Sequence, residues 1–254
     1  MKLGMPQLYE FDSIEDNLKL AKELNLDFIE LNLNFGYCRK EMEDKNVASL
    51  LKKYDLEATL HFYDEADLGS YPEVVDAYLK LLDKYASLGK GYIKMINFHL
   101  IPGPVVTISG IKNYIYEKEY DTYIKGLINN FKKAEEICNK NDIVMVIENT
   151  DIVSKYMKKT YMDLNLAGFK FNYDIGHDNV NNDFLWQIQD EYKIRFDEFH
   201  IHDGNRKTCH LSLGDGIIDI KKFKSLAEKY NAYAVLEVKS SDDLKKSVPI
   251  FKNL

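Results

Sequence analysis

The sequence contains few cysteines, and no two of them are closely spaced. Only Cys38, Cys138 and Cys209 are present, and no two of them form a CxxC motif. Small secreted domains depend on several disulfides, and closely spaced thiols are the usual mark of a structural zinc site. Neither framework can be built here, so we predict free thiols in a reducing compartment.

Long apolar runs are also missing. No stretch approaches the roughly 20 apolar residues that a membrane-spanning helix requires. Residues 1–10 lack the basic segment and apolar core of a secretion signal. From these two absences we expect a cytoplasmic protein that does not associate with membranes.

The chain lacks an excess of positive charge. Its 34 basic residues are outnumbered by 41 acidic ones, which gives a formal charge of -7. The field of such a protein repels polyanions, so nucleic acid is disfavoured as a partner. It is not excluded, because lysine and arginine are scattered along the chain and could still form a local basic groove.

Short β-type runs alternate with longer amphipathic stretches along the whole chain. This alternation is typical of a parallel sheet with crossover helices. Most of the short runs are continuously apolar, as expected for strands buried on both faces. The eight predicted strands are residues 3–8, 27–33, 57–61, 92–99, 143–148, 169–174, 198–202 and 232–237.

Eight amphipathic stretches complete the pattern. In the first of them, Ile14, Leu18 and Ala21 recur at helical spacing behind Ser13, a predicted cap. The predicted helices are residues 14–24, 46–54, 72–88, 120–139, 151–164, 182–192, 220–230 and 242–251. No GxGxxG follows the first strand, which disfavours an open dinucleotide-binding sheet. Eight regular units over residues 1–254 therefore predict one domain, a single (β/α)8 TIM barrel. The long loop at residues 100–118, rich in proline and glycine, is predicted to cover its active face.

All six histidines fall at a predicted strand end or in the loop that follows one. A single histidine is more often a hydrogen-bonded core or surface residue than a ligand. In a barrel, however, these positions converge on one face, and several imidazoles in one pocket favour a bound cation. The histidines are His61, His99, His177, His200, His202 and His210.

Acidic residues end three of the same strands. Glu148, Asp174 and Glu237 each follow an apolar run directly. A buried carboxylate is costly unless it is paired or bound to metal, although each of these alone could cap the next helix or pair with a lysine or arginine. Three acids beside several histidines predict a divalent-metal site. Such a mixed oxygen and nitrogen set suits Zn, Mn, Co or Fe better than Ca, and Mg stays open if few imidazoles bind.

In this order, the motifs at the strand ends resemble those of the xylose-isomerase-like barrels. That superfamily includes sugar isomerases and epimerases as well as the DNA-repair enzyme endonuclease IV. The resemblance covers nearly the whole chain, although each motif alone is weak. The motifs are Leu60-His61, Phe98-His99, Glu148-Asn149-Thr150, Asp174-Ile175-Gly176-His177, His200-Ile201-His202-Asp203, His210 with Leu213-Gly214-Asp215-Gly216, and Leu236-Glu237.

The resemblance to the sugar enzymes implies a principal metal site and a catalytic pair. The implied metal ligands are Glu148, Asp174, His200 and Glu237. Glu148 and Glu237 would shuttle a proton while the metal stabilises the enediolate of a sugar or sugar phosphate. This interpretation places the protein in carbohydrate metabolism, and it leaves assembly into a homo-oligomer open.

Further residues form a second tier of candidates for metal or substrate binding. His177 would hold a substrate hydroxyl, and Arg206 with Lys207 could meet a phosphate or carboxylate, although exposed basic residues are usually only solvated. His202 lies two residues beyond His200 and therefore on the same face, as a ligand, a substrate contact or an alternative to His200.

The resemblance to the repair enzyme implies a different reaction. His61, His99, His177 and His210 correspond to further ligands of its three-metal site, and the alternative function is a phosphodiesterase acting at abasic DNA. Thr208 stands where the repair pattern has an aspartate, so the third metal would lose a carboxylate ligand. A third possibility is a barrel that binds metal or sugar without turnover, which the intact Glu148 and Glu237 disfavour.

Overall fold

Eight parallel strands close into a barrel, as the sequence predicted. A computed structural model describes residues 1–150, 154–189 and 191–254. The strands in this part of the chain are β1 (Lys2–Pro6), β2 (Phe28–Asn32), β3 (Glu57–His61), β4 (Ile93–His99), β5 (Val105–Ile108), β6 (Ile111–Tyr114), β7 (Val144–Glu148), β8 (Phe171–Asp174), β9 (Phe196–Ile201) and β10 (Tyr233–Leu236). Around the barrel they run in the order β1, β10, β9, β8, β7, β4, β3, β2 and back to β1, while β5 and β6 form a separate sheet. The predicted TIM barrel is confirmed.

Helices follow the barrel strands and cover the outside of the sheet. They are α1 (Ile14–Glu23), α2 (Gly36–Asp44), α3 (Val47–Tyr54), α4 (Pro72–Gly89), α5 (Ile115–Lys118), α6 (Tyr120–Lys140), α7 (Lys155–Leu166), α8 (Ile175–Val180), α9 (Phe184–Gln189), α10 (Ile220–Tyr230) and α11 (Ser241–Asn253). The predicted helices at 151–164 and 182–192 correspond to α7 and α9. Residues 151–153 and residue 190, which those two predictions also included, lie outside the described residues.

Local sequence signals explain several helix boundaries. The side chain of Ser13 accepts a hydrogen bond from the backbone N–H of Asp16, which confirms it as the cap of α1. Helices α3 and α10 are followed by the C-cap residues Asp55 and Asn231, with φ of 55° and 52° respectively. Such left-handed C-caps suit short polar side chains, which tolerate this conformation better than branched ones.

The loop predicted at residues 100–118 contains regular structure, which the sequence analysis did not anticipate. Val105–Ile108 and Ile111–Tyr114 pair as an antiparallel hairpin. Ser109 and Gly110 join them with φ of 51° and 81°, and two positive φ angles are what a tight hairpin turn needs. A run of β-branched residues before a Ser-Gly pair was the signal that could have revealed it.

The close packing of an aromatic ring against β1 requires glycine near the amino-terminal end of the barrel. A Cβ atom at Gly4 of β1 would lie 2.6 Å from the ring of Phe28 on β2. Phe28 is fully buried and also contacts Tyr233 edge to face, with ring centroids 5.0 Å apart. Aromatic side chains therefore pack together at the amino-terminal end of the barrel. None of the described helices is long and apolar enough to span a bilayer.

Candidate metal centre at the carboxyl ends of the strands

Four predicted ligands converge at one end of the barrel. Glu148 ends β7, Asp174 ends β8, His200 lies on β9 and Glu237 directly follows β10. Because these strands are consecutive neighbours in the barrel, the four side chains meet, and each offers an atom within 4.8 Å of the others. The Nδ1 atom of His200 lies 3.2 Å from Oε1 of Glu148 and 3.2 Å from Oε2 of Glu237. Its distance to Oδ2 of Asp174 is 3.9 Å.

The donor set fits a divalent cation. Although they are buried, Nδ1 of His200 and Oε2 of Glu237 have no hydrogen-bond partner among the described residues. Leaving a buried polar atom unsatisfied costs about 1–3 kcal/mol, and a cation that both atoms could bind would remove that cost. Three carboxylates and one imidazole nitrogen match the ligands preferred by zinc, manganese and cobalt.

The turn after β8 gives Asp174 two roles. Its Oδ1 atom accepts a hydrogen bond of 2.6 Å from the backbone N–H of His177 and so caps α8. The amide of Asn149 clamps the Asp174 backbone from the end of β7, accepting from its N–H at 2.9 Å and donating to its carbonyl at 2.8 Å. The capping function that we weighed against metal binding is therefore present, and it leaves Oδ2 directed at the centre, 3.5 Å from Nδ1 of His177.

Opposite charges on imidazoles and carboxylates stabilise the centre. Burial alone would raise the pKa of Glu148, but the neighbouring imidazoles of His200 and His99 hold it well below its usual value. Burial alone would lower the pKa of His200, yet the carboxylates of Glu148, Glu30 and Glu237 raise it well above its usual value. Protons on imidazoles thus compensate the buried carboxylates.

A lysine that the sequence analysis missed belongs to this centre. Lys239, two residues after Glu237, donates a 2.7 Å hydrogen bond to Oε1 of that glutamate. Burial would raise the pKa of Glu237, but the charges of Lys239, His210 and His200 hold it well below its usual value. The position of Lys239 in the loop after the last strand was the available signal.

Metal uptake should strengthen as the pH rises. Because the pKa of His200 lies well above its usual value, its imidazole is protonated at neutral pH, and a cation binding at Nδ1 must displace that proton. Affinity should therefore increase about tenfold per pH unit for each proton displaced, until the pH passes the pKa of His200. Competition with a chelator between about pH 6 and pH 9 measures this slope, and proton release in weak buffer checks it. An affinity independent of pH would contradict the assigned charge state.

A second group of candidate ligands shares Glu148. Its Oε2 atom lies 3.5 Å from Nε2 of His61 and 3.6 Å from Nε2 of His99. Nδ1 of His61 donates to the carbonyl of Phe62 at 2.9 Å, which orients the ring with Nε2 towards Glu148. The two oxygens of Glu148 therefore face different histidine groups. Burial lowers the pKa of His61, but the hydrogen bond to Glu148 and the charge of Glu30 outweigh this and raise it to about 10.

A third group contains His177, His202 and His210, whose ring nitrogens lie within 4.8 Å of one another. His202 is fully buried, and both of its ring nitrogens are engaged. Nδ1 accepts from the backbone N–H of His210 at 2.7 Å, so the proton is on Nε2, which lies 3.0 Å from Oδ1 of Asp174. A Cβ atom at Gly176 would collide with the His202 ring, so glycine is needed for this approach. His202 contacts Asp174 and is not among the residues that line the cavity.

His177 and His210 border the open cavity above the centre. Each donates its Nδ1 proton to a backbone carbonyl, that of Asn149 for His177 and that of Glu237 for His210, both at 3.1 Å. These bonds fix the orientation of both rings and direct Nε2 away from the backbone carbonyls. The cavity measures about 630 Å³, a size suited to a small molecule, and His61, His99 and Glu237 also line it.

Cys209 lies in the same cavity, half buried between two imidazoles. Hydrogen bonds from His177 and His210 lower the pKa of its thiol to about 6. All three cysteines are free thiols, as predicted. Cys209 was not predicted to belong to the site, although its position next to His210 was an available signal.

Arg206 is not among the residues that line the cavity. Its guanidinium pairs with Oδ2 of Asp183 at 2.7 Å and donates to the carbonyl of Asn179 at 2.8 Å. In this arrangement Arg206 ties the loop after β9 to the segment after β8, beside the cavity rather than inside it.

Comparison with solved structures finds the same fold in several proteins. A D-tagatose 3-epimerase-like protein aligns with a TM-score of 0.77 at 20% sequence identity, over 100% of this chain and 96% of that protein. The 3-keto-D-glucoside 4-epimerase YcjR from E. coli aligns with a TM-score of 0.76 at 17% identity, over the full length of both chains. D-psicose 3-epimerase from Clostridium cellulolyticum H10 aligns with a TM-score of 0.70 at 12% identity, over 98% of this chain and 92% of that one. These identities are low, so the likeness is one of fold.

No curated protein sequence matches the chain significantly. A family model, however, matches most of the chain. Residues 18–254 match the family described as the xylose isomerase-like TIM barrel. This match agrees with the order of the strand-end motifs and with the closed barrel. The chain therefore belongs to the xylose isomerase-like TIM barrel family.

Proposed function

We propose that the protein is a metal-dependent isomerase or epimerase of a sugar or sugar phosphate. One observation carries the proposal: Glu148 and Glu237 approach the same nitrogen of His200 at 3.2 Å, from two different strands, beneath an open cavity. Two carboxylates on either side of one point are what a reaction needs when one base removes a proton and another acid returns it.

The proposed metal ligands are Glu148, Asp174, His200 and Glu237. When bound, a divalent cation would polarise two adjacent oxygens of the sugar and acidify the C–H bond between them. Manganese, cobalt, zinc and magnesium are the candidate ions, since the set contains three carboxylates and one imidazole.

The remaining side chains of the cavity suit a polyhydroxylated substrate. Their ring nitrogens give His177 and His210 donors or acceptors for sugar hydroxyls. Lys239 keeps Glu237 ionised and thus able to accept a proton. Two of the solved structures with this fold are named as epimerases of D-psicose and of a 3-keto-D-glucoside, which supports a sugar as the substrate class.

An endonuclease IV-like phosphodiesterase is the second candidate. The observation that favours it is the group of His61, His99 and Glu148, which could hold a further cation next to the first. Against it, His202 is engaged with Asp174, and the net charge of -7 opposes binding of a duplex. Metal analysis separates the two: one ion per chain supports the sugar enzyme, and two or three zinc ions support the phosphodiesterase.

Proton exchange with solvent tests the proposed reaction. The protein loaded with Mn²⁺ or Co²⁺ is incubated in deuterated water with a panel of ketoses and their phosphates, and the products are examined by NMR and mass spectrometry. We expect carbon-bound deuterium next to the carbonyl of at least one sugar, together with its epimer or isomer. Absence of carbon-bound deuterium from every sugar would remove the support for proton transfer. A barrel that binds metal or sugar without turnover would then be the better interpretation.

A further inference from the structure

Two acidic side chains lie inside the barrel below the candidate metal centre. Glu30 is on β2 and Glu198 is on β9, and they are 2% and 0% exposed. Glu198 stands two residues before His200 and thus shares its face of the strand. Both acids offer an oxygen within 4.8 Å of a His200 ring nitrogen and of each other. The proposed reaction uses neither of them.

Glu30 is the residue that meets the lower edge of His200. Its Oε1 atom lies 3.2 Å from Nε2 of the imidazole. A carboxylate oxygen accepts hydrogen bonds, so the proton of this contact belongs to Nε2. Nδ1, on the other edge of the ring, then faces Glu148 and Glu237.

The contact with Glu30 determines which ring atom of His200 faces the candidate metal centre. Rotating the ring by half a turn would exchange Nδ1 with a ring carbon, and the centre would lose its only nitrogen ligand among the four. It would also move Nε2 away from Oε1 of Glu30. A buried carboxylate is costly without a compensating partner, so an apolar side chain would serve better if Glu30 only filled space.

We propose that Glu30 is a positioning residue that fixes the orientation and tautomer of His200, so that Nδ1 faces the bound cation. The proposal rests on the metal site of the proposed function. Partners of this kind hold metal-binding histidines in many proteins, and their loss typically weakens metal affinity 10–100-fold. Glu30 acts through His200 and does not touch the substrate, because it lies below the ring.

Three variants test the role of Glu30 through metal affinity, measured by competition of Zn²⁺ or Co²⁺ with a chelator. Glu30→Ala should weaken binding about 10–100-fold. Glu30→Gln should fall between this variant and the wild type, because the amide oxygen still accepts from Nε2. The matched control is Thr59→Val, since Thr59 pairs with Glu30 across β2 and β3 and is equally buried, but its hydroxyl forms no hydrogen bond with His200 or any other described residue. Its affinity should be unchanged. An affinity of Glu30→Ala within twofold of the wild type would overturn the proposal.

A spectroscopic readout keeps the proposal testable if Glu30→Ala does not fold. Nitrogen NMR of the zinc-loaded wild type should show the His200 proton on Nε2, and the same signal should persist, shifted, in Glu30→Gln. A proton on Nδ1 of the zinc-loaded wild type would refute the assignment. Neither readout involves turnover, so an inactive protein that still binds zinc through His200 would count against the sugar reaction alone. If His200→Ala binds zinc as tightly as the wild type, the metal centre itself is wrong.

Discussion

Replacing Glu148 with glutamine should abolish turnover and weaken metal binding together. Glu148 is the residue common to two groups of candidate ligands, since one oxygen faces His200 and the other faces His61 and His99. Glutamine keeps the size but removes the charge and the ability to accept a proton. Loss of a general base typically costs about 10²–10⁴ in rate, and we expect the upper end of that range because a ligand is lost as well. Steady-state kinetics at saturating metal and a metal titration provide the two measurements.

The control for Glu148 is a strand glutamate at the opposite end of the barrel. Glu57 begins β3, accepts a 2.7 Å hydrogen bond from the hydroxyl of Tyr233 and pairs with Lys2. Glu57→Gln should leave both rate and metal affinity close to those of the wild type. If Glu148→Gln retains the metal content and the rate of the wild type, the assignment of the site fails.

Replacing Glu237 with glutamine should separate the two halves of the proton transfer. If Glu148 and Glu237 work on opposite faces of the substrate carbon, this variant loses one acid–base group and keeps the other. We expect the formation of epimer to fall about 10²–10³-fold, while exchange of the substrate proton with solvent survives on the remaining face. The rate of deuterium uptake, compared with the rate of epimer formation in the same reaction, measures the difference.

Two comparisons make the Glu237 experiment decisive. Glu228 lies on α10, is half exposed and pairs with Lys224 in the same helix, so Glu228→Gln should behave as the wild type in both assays. Metal must be saturating, because Glu237 is also a proposed ligand. Equal loss of exchange and epimerisation would contradict a division of labour between two bases and would favour a single base that acts on both sides.

The barrel could be predicted from local patterns because each of its units repeats the same signals. Apolar runs such as residues 143–147 suit strands buried on both faces, between the barrel interior and the outer helices, and caps such as Ser13 mark where helices begin. Helix α2 was missed for the opposite reason. Its sequence, from Gly36 to Asp44, is mostly polar, and the few side chains that it buries, such as Cys38 and Met42, do not form a clear apolar stripe.

The candidate site could be anticipated because parallel strands deliver their last residues to one face. Glu148, Asp174 and Glu237 end three such strands, so their proximity follows from the fold. Lys239 and Cys209 were not anticipated, because they lie on loops whose paths are set by tertiary contacts. Arg206 was a second-tier candidate for contact with a substrate group, and its pairing with Asp183 depends on how the segments after β8 and β9 meet.

The sequence by itself determined that this protein is a barrel with acids and imidazoles gathered at one end. Periodicity and strand-end position carry that information, since both are local. Only the tertiary structure decided what each ring nitrogen does. His200 and His202 are two residues apart on one face and could not be told apart by pattern. In the fold, His202 has both nitrogens engaged, whereas His200 contacts Glu30 through Nε2 and turns Nδ1 towards Glu148 and Glu237. That difference arises from strands far apart in the chain, which no local pattern can encode.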